Sequence, residues 1–176
     1  MHRAADLEAL FHDTFHADYV TVLEGGFEEP VYLPGEPHRI RYTRDYFRSA
    51  LHEVAHWCVA GPRRRTLEDY GYWYAPDGRD AAQQARFLTV EVRPQAFEAL
   101  FCAACGHRFR VSLDNLDGDP GDADRFAAEV ACLARRLIEQ GLPERPRRWV
   151  AALETFYGTA DRPLAARLAV LFPATP

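Results

Sequence analysis

Lysine is absent from this chain of 176 residues, so every basic side chain other than histidine is arginine. Arginine replaces lysine at exposed sites with little change in charge. With 26 acidic residues against 21 arginines the net charge is -5, which removes the electrostatic footprint expected of a nucleic-acid binder. Long apolar runs are also missing. None approaches the roughly 20 residues needed to span a bilayer, so no membrane partner is expected. The opening Met1-His2-Arg3-Ala4-Ala5-Asp6 lacks the apolar core of a secretory signal. A cytoplasmic protein with reduced thiols is therefore expected. Cysteine is scarce: Cys58, Cys102, Cys105 and Cys132 are too few and too scattered for a disulfide scaffold.

Hydrophobic residues make up 48% and aromatics 12%, enough to exclude disorder and to build one sizeable core. No repeat, low-complexity tract or linker divides the chain, so residues 1–176 are expected to form a single domain. Leu7, Leu10, Phe11 and Phe15 recur at helical spacing from Asp6 to about Asp18. Short strands are expected at Thr21–Leu23 and Val31–Leu33 around a Gly25-Gly26 turn, with a third from His38 to Tyr42. From Asp45 to Ala60 an apolar stripe of Phe47, Ala50, Leu51, Val54 and Cys58 marks the strongest helix, stopped by Gly61-Pro62. A helix from Asp80 to Phe87 is expected next, then another opened by Pro94 and closed by Gly106. Phe109–Leu113 alternates like a strand. Asp114 to Asp124 reads as an acidic loop, and three helices follow, over Ala123–Gln140, Pro146–Phe156 and Pro163–Phe172. The pattern predicts a mainly helical α+β domain with a small sheet.

The chemistry concentrates in His52-Glu53-Val54-Ala55-His56. Two histidines four residues apart project from one face of a helix, so both rings can grip one metal ion at little entropic cost. This is the His-Glu-x-x-His pattern of the zinc proteases, in which the glutamate serves as general base. A catalytic metal needs a third protein ligand and open positions. Downstream candidates are Glu68, Asp69, Asp77, Asp80, Glu91 and Glu98. Glu91 stands out in the apolar run Phe87-Leu88-Thr89-Val90-Glu91-Val92, where a carboxylate must be paired or bound to metal to be worth burying. An ion pair with Arg86 or Arg93 accounts for it equally well from spacing alone.

Three other signals weigh less. Cys102-Ala-Ala-Cys105 has metal or redox spacing but lies in an expected helix with no second pair, so buried small residues are the better reading. His16-Ala17-Asp18 mimics the His-x-Asp of the oxygenase facial triad, which belongs on the strands of a β-barrel that this chain lacks. The Tyr72-Trp73-Tyr74 cluster, flanked by Gly71, Pro76 and Gly78, suits a surface loop that shapes a site or fills a core.

Four stretches, taken together, resemble the bacterial elongation factor P hydroxylase family. They are Glu29-Pro30-Val31-Tyr32-Leu33-Pro34, Ser49 to Gly61 around the paired histidines, Asp69 to Asp80, and Val90-Glu91-Val92-Arg93-Pro94-Gln95-Ala96. Weaker echoes follow at Asp114-Asn115-Leu116 and Gly141 to Pro146, and the chain past about Phe156 departs from the pattern. The resemblance implies a monooxygenase-type oxidoreductase. Its substrate is a lysine of elongation factor P already carrying a β-lysyl group, and hydroxylation is the final step of that modification. It further implies non-haem Fe(2+) on His52, His56 and Glu91, with dioxygen as co-substrate and zinc possible in the isolated protein. Glu53 then takes a supporting role at the metal. Tyr72, Tyr74, Asp77 and Asp80 become candidates to hold the doubly cationic side chain, although Asp80 equally suits a helix cap. The competing expectation is a zinc-dependent hydrolase or peptidase with Glu53 as general base.

Overall fold

The computed structural model describes residues 1–72, 81–113 and 120–173. Helix α1 (Ala4–Tyr19) leads into a three-stranded sheet of β1 (Thr21–Phe27), β2 (Val31–Leu33) and β3 (His38–Thr43). Helix α2 (Phe47–Val59) follows, then two short 3-10 turns, Arg64–Thr66 and Glu68–Gly71. Helices α3 (Ala81–Cys105), α4 (Pro120–Gln140), α5 (Glu144–Tyr157) and α6 (Leu164–Leu171) complete the chain. The mainly helical α+β architecture matches the expectation from sequence, and no helix of the described residues is long and apolar enough to cross a membrane.

The sheet order is β1-β3-β2, with β3 parallel to β1 and antiparallel to β2. Ile40 at its centre faces Leu23 on one side and Tyr32 on the other, and all three are buried. Gly25 and Gly26 do not close a turn as expected. They lie within β1, where the register shifts between Glu24 and Phe27. Gly25 is required there by a close approach, because a Cβ would sit 2.5 Å from the Tyr42 ring and 2.7 Å from the Arg44 carbonyl oxygen.

Helix α2 buries Phe47, Ala50, Leu51, Val54, Ala55, Trp57 and Cys58, which includes the whole expected stripe. Its end is built by cations as well as by Gly61-Pro62. Arg145 from α5 donates to the carbonyls of Trp57 (2.6 Å) and Ala60 (2.7 Å), and Arg65 donates to Ala60 (3.0 Å). Positive charge at a helix C-terminus satisfies the last carbonyls and opposes the macrodipole.

Helix α3 corrects the sequence reading. One continuous helix replaces the two expected around Pro94, which sits inside it. Proline removes one backbone hydrogen bond there, but burial on every side outweighs that loss. From Ala96 to Cys105 each residue is buried, and α3 packs against α2, α4, α5 and α6. The strand expected at Phe109–Leu113 does not form either. The Gln95 side chain takes the place of a neighbouring strand: its amide donates to the Ser112 carbonyl (2.7 Å) and accepts from the Ser112 N–H (2.9 Å). Cys102 and Cys105 are buried free thiols within α3, as the simpler reading expected. Asp18 ends α1 in an ion pair with Arg148 at 2.8 Å.

Candidate metal centre

Four polar or charged residues are buried among the described residues: Thr21, Glu91, Gln95 and Glu98. Three of these share one face of α3 at helical spacing, and that face meets the histidines of α2. His52 and His56 are one turn apart and present their Nε2 atoms 3.0 Å from each other. The Glu91 carboxylate closes the triangle, with Oε1 3.3 Å from His56 Nε2 and Oε2 3.6 Å from His52 Nε2. Arg86 and Arg93 are not its partners in any described ion pair, so the paired-arginine explanation for Glu91 gives way to the histidines.

These separations suit one ion. Ligand atoms each about 2.0–2.2 Å from a metal lie about 2.8–3.6 Å from one another at octahedral to tetrahedral angles. Nearly all the polar atoms turned inward are acceptors once the tautomer of His52 is settled. Glu98 Oε2 lies 2.9 Å from His52 Nδ1, and a carboxylate only accepts, so Nδ1 carries the proton and Nε2 presents its lone pair. With His56 in the same tautomer, three lone-pair donors face one point and a shared cation satisfies them; without a metal, a proton on Nε2 does so instead. Burial, which disfavours the charged ring, is outweighed by the hydrogen bond and charge of Glu98 and by Glu53 and Glu91, so His52 is pushed up to about 10. Burial would likewise raise Glu91, but His56, His52 and Gln95 hold it down at about 2.

Glu53 feels the same charges without being one of the three converging groups. Burial pushes its carboxyl up against the pull of both histidines, with the charges of Glu91 and Asp69 adding to the rise. It lies outside the cluster of His52, His56 and Glu91, whose ligand atoms fall within 4.8 Å of one another. Beyond α2 the chain makes a tight turn in which Asp69 and Tyr70 both adopt the left-handed backbone, at φ 45° and 58°. Such residues cost on the order of 1–3 kcal/mol each and persist only where surroundings fix them. Here Asp69 Oδ1 accepts from the Tyr32 N–H (2.8 Å), the Tyr70 ring stacks on Tyr32 at 4.2 Å, and Arg64 donates to the Tyr70 carbonyl (2.9 Å).

Of the aromatic and acidic candidates, Tyr72 is half-buried and lines an open cleft of about 840 Å³ with Val59, Arg63, Arg64 and Leu67. The Arg64 guanidinium covers one face of its ring at 4.1 Å, so that face is not open to a substrate cation. Tyr74, Asp77 and Asp80 lie outside the described residues. Glu98, one of the six possible ligands in the sequence, lies against His52 and not in the triangle, and only its position seven residues beyond Glu91 marks it in the sequence. Arg48 carried no signal at all.

The Elongation factor P hydroxylase family pattern matches residues 10–167, continuing past Phe156 where a departure was expected. A protein of Haemophilus influenzae named Elongation factor P lysine hydroxylase is 44% identical over 164 residues, covering 91% of this chain and 92% of the relative. With a single match running through the paired histidines, Glu91 and the helices that carry them, the chain belongs to the elongation factor P hydroxylase family.

Proposed function

We propose that this chain is a non-haem iron-dependent hydroxylase of a lysine on elongation factor P, with His52, His56 and Glu91 as the metal ligands. The observation that carries the reading is the convergence of two imidazole Nε2 atoms and one buried carboxylate on a single point. Two neutral imidazoles and a carboxylate would hold a divalent ion at a net charge near +1 and would leave it able to take further ligands. Iron(II) bound there supplies the redox chemistry with dioxygen that an unactivated C–H bond requires and that zinc lacks. The protein's own contribution is positional. Helix α2 holds both rings in register, α3 supplies the carboxylate from a water-poor interface, and Glu53 acts beside the ligands without joining them.

The substrate we favour is the lysine that already bears a β-lysyl group, which makes this the last step of that modification, carried out in the cytoplasm. Two ammonium groups need two anionic or aromatic partners, since desolvating one unpaired costs several kcal/mol. Tyr72, Tyr74, Asp77 and Asp80 are proposed for that role. A zinc hydrolase with Glu53 as base remains the rival chemistry, and family membership weighs against it. The deciding measurement is the mass of elongation factor P from cells with and without this protein. A gain of one oxygen that depends on the protein, and is restored by enzyme reconstituted anaerobically with ferrous iron, supports the proposal. An unchanged mass overturns it.

A further inference from the structure

Glu98 and Arg48 lie outside the ligand triangle, yet both are built around it. Glu98 is 2% exposed in the otherwise apolar half of α3, where a carboxylate is costly unless its oxygens are engaged. Both oxygens are. Oε2 accepts from the Nδ1–H of His52 at 2.9 Å, and Oε1 accepts from Arg48 Nε (3.0 Å) and Nη2 (2.7 Å). Arg48 Nη2 also donates to the Arg110 carbonyl at 2.6 Å, and its guanidinium sits 5.4 Å from the centre of the Phe109 ring. Helical spacing explains the alignment. Arg48, His52 and His56 fall on successive turns of α2, while Glu91, Gln95 and Glu98 fall on successive turns of α3.

We infer that Glu98, itself fixed by Arg48, is a positioning residue that holds the Nδ1 proton of His52 and aims the Nε2 lone pair of that ring at the metal. An imidazole without a partner at Nδ1 can exchange tautomers and rotate, presenting either nitrogen. A carboxylate at Nδ1 removes both freedoms and makes Nε2 a stronger donor. The arrangement is unequal between the two rings. No hydrogen bond to His56 Nδ1 occurs among the described residues, and His56 meets only His52 and Glu91 through Nε2. His52 is therefore the ligand that a carboxylate anchors through its second nitrogen.

This inference rests on the metal-centre reading proposed above, so its test measures metal binding with Co(II) in place of iron, independently of hydroxylation. Parent, His52→Ala, Glu98→Gln and Arg48→Lys proteins are titrated against a competing chelator. The His52 Nδ1–H proton is followed by NMR in the Zn(II)-bound forms. Glu98→Gln keeps the shape and still accepts a hydrogen bond, but loses the charge. We expect its Co(II) affinity to fall 10- to 100-fold and the Nδ1–H resonance to lose its downfield position. Arg48→Lys keeps the charge of Glu98 but gives up the two-point clamp, so a smaller loss in the same direction is expected. Co(II) affinity within twofold of the parent in Glu98→Gln, with the Nδ1–H signal unmoved, overturns the inference. If circular dichroism shows that Glu98→Gln is unfolded, Arg48→Lys decides by the same two readings. A parent that binds no Co(II), or a His52→Ala protein that binds it as well as the parent, overturns the metal centre and this inference together.

Discussion

His52 and His56 bring their Nε2 atoms to 3.0 Å of each other, a spacing that suits either one ion held by both rings or a proton shared between them. The side chains are 25% and 16% exposed and lie outside the buried hydrophobic cluster. His52→Ala or His56→Ala should lower metal affinity by more than the roughly 100-fold that loss of a supporting hydrogen bond costs. The metal-free protein should lose about 1–3 kcal/mol of unfolding free energy in each, because His52→Ala strips buried Glu98 of a partner and His56→Ala does the same to Glu91. Metal analysis after gel filtration and urea denaturation checks both halves. Retained metal at full stoichiometry in either variant would remove that histidine from the ligand set.

Glu53→Gln separates the two chemistries. The ligand atoms remain, so the variant should bind metal like the parent. A hydrolase losing its general base would lose on the order of 100- to 10,000-fold in rate. A hydroxylase in which Glu53 only orients its surroundings should lose less. Single-turnover hydroxylation of elongation factor P by the metal-loaded variant gives the answer, and complete loss with normal substrate binding sinks the supporting role.

Substrate preference tests the loop. Asp77→Asn and Asp80→Asn should each narrow the preference for the β-lysyl form over the unmodified factor, by several-fold in kcat/KM. If both variants discriminate like the parent, and Tyr74→Leu does too, the second ammonium is held elsewhere.

Thiol reactivity follows from burial. Cys58, Cys102 and Cys105 are buried, whereas Cys132 is exposed. Burial pushes Cys58 and Cys105 up to about 12 and raises Cys102 as well. One thiol should therefore react rapidly with a disulfide reagent at pH 8, and the other three only on unfolding. The sign for stability also follows. A raised thiol pKa contributes stability that is complete below about pH 9 and is lost as pH rises toward 12, because the unfolded thiols ionise first. Alkaline unfolding should therefore begin above pH 9, and substituting Cys58 with alanine should flatten that part of the profile.

Gly25→Ala tests the joint between β1 and β3. The added methyl would stand 2.5 Å from the Tyr42 hydroxyl, which donates to Glu8 at 2.6 Å, so the clash reaches the contact between sheet and α1. A loss of about 1–3 kcal/mol is expected by urea denaturation, with metal affinity unchanged in the folded fraction.

Much of this was legible in the chain itself. The period of Phe47, Ala50, Leu51, Val54 and Cys58 is enough to fold α2 and to put His52 and His56 on the opposite flank, because side-chain direction on a helix follows from spacing alone. Local composition also sufficed for α1, the short strands and the last three helices. What the sequence could not decide depended on contacts between distant segments. Pro94 reads as a helix start, yet α3 runs through it, because packing against four other helices outweighs one missing hydrogen bond. Phe109–Leu113 alternates like a strand, yet a glutamine side chain meets its backbone where no strand edge is available. Glu91 and Glu98 have the same side chain and lie in the same helix, seven residues apart. Only the docking of α3 along α2 sets one beside Nε2 of both histidines and the other beside Nδ1 of His52 and the guanidinium of Arg48.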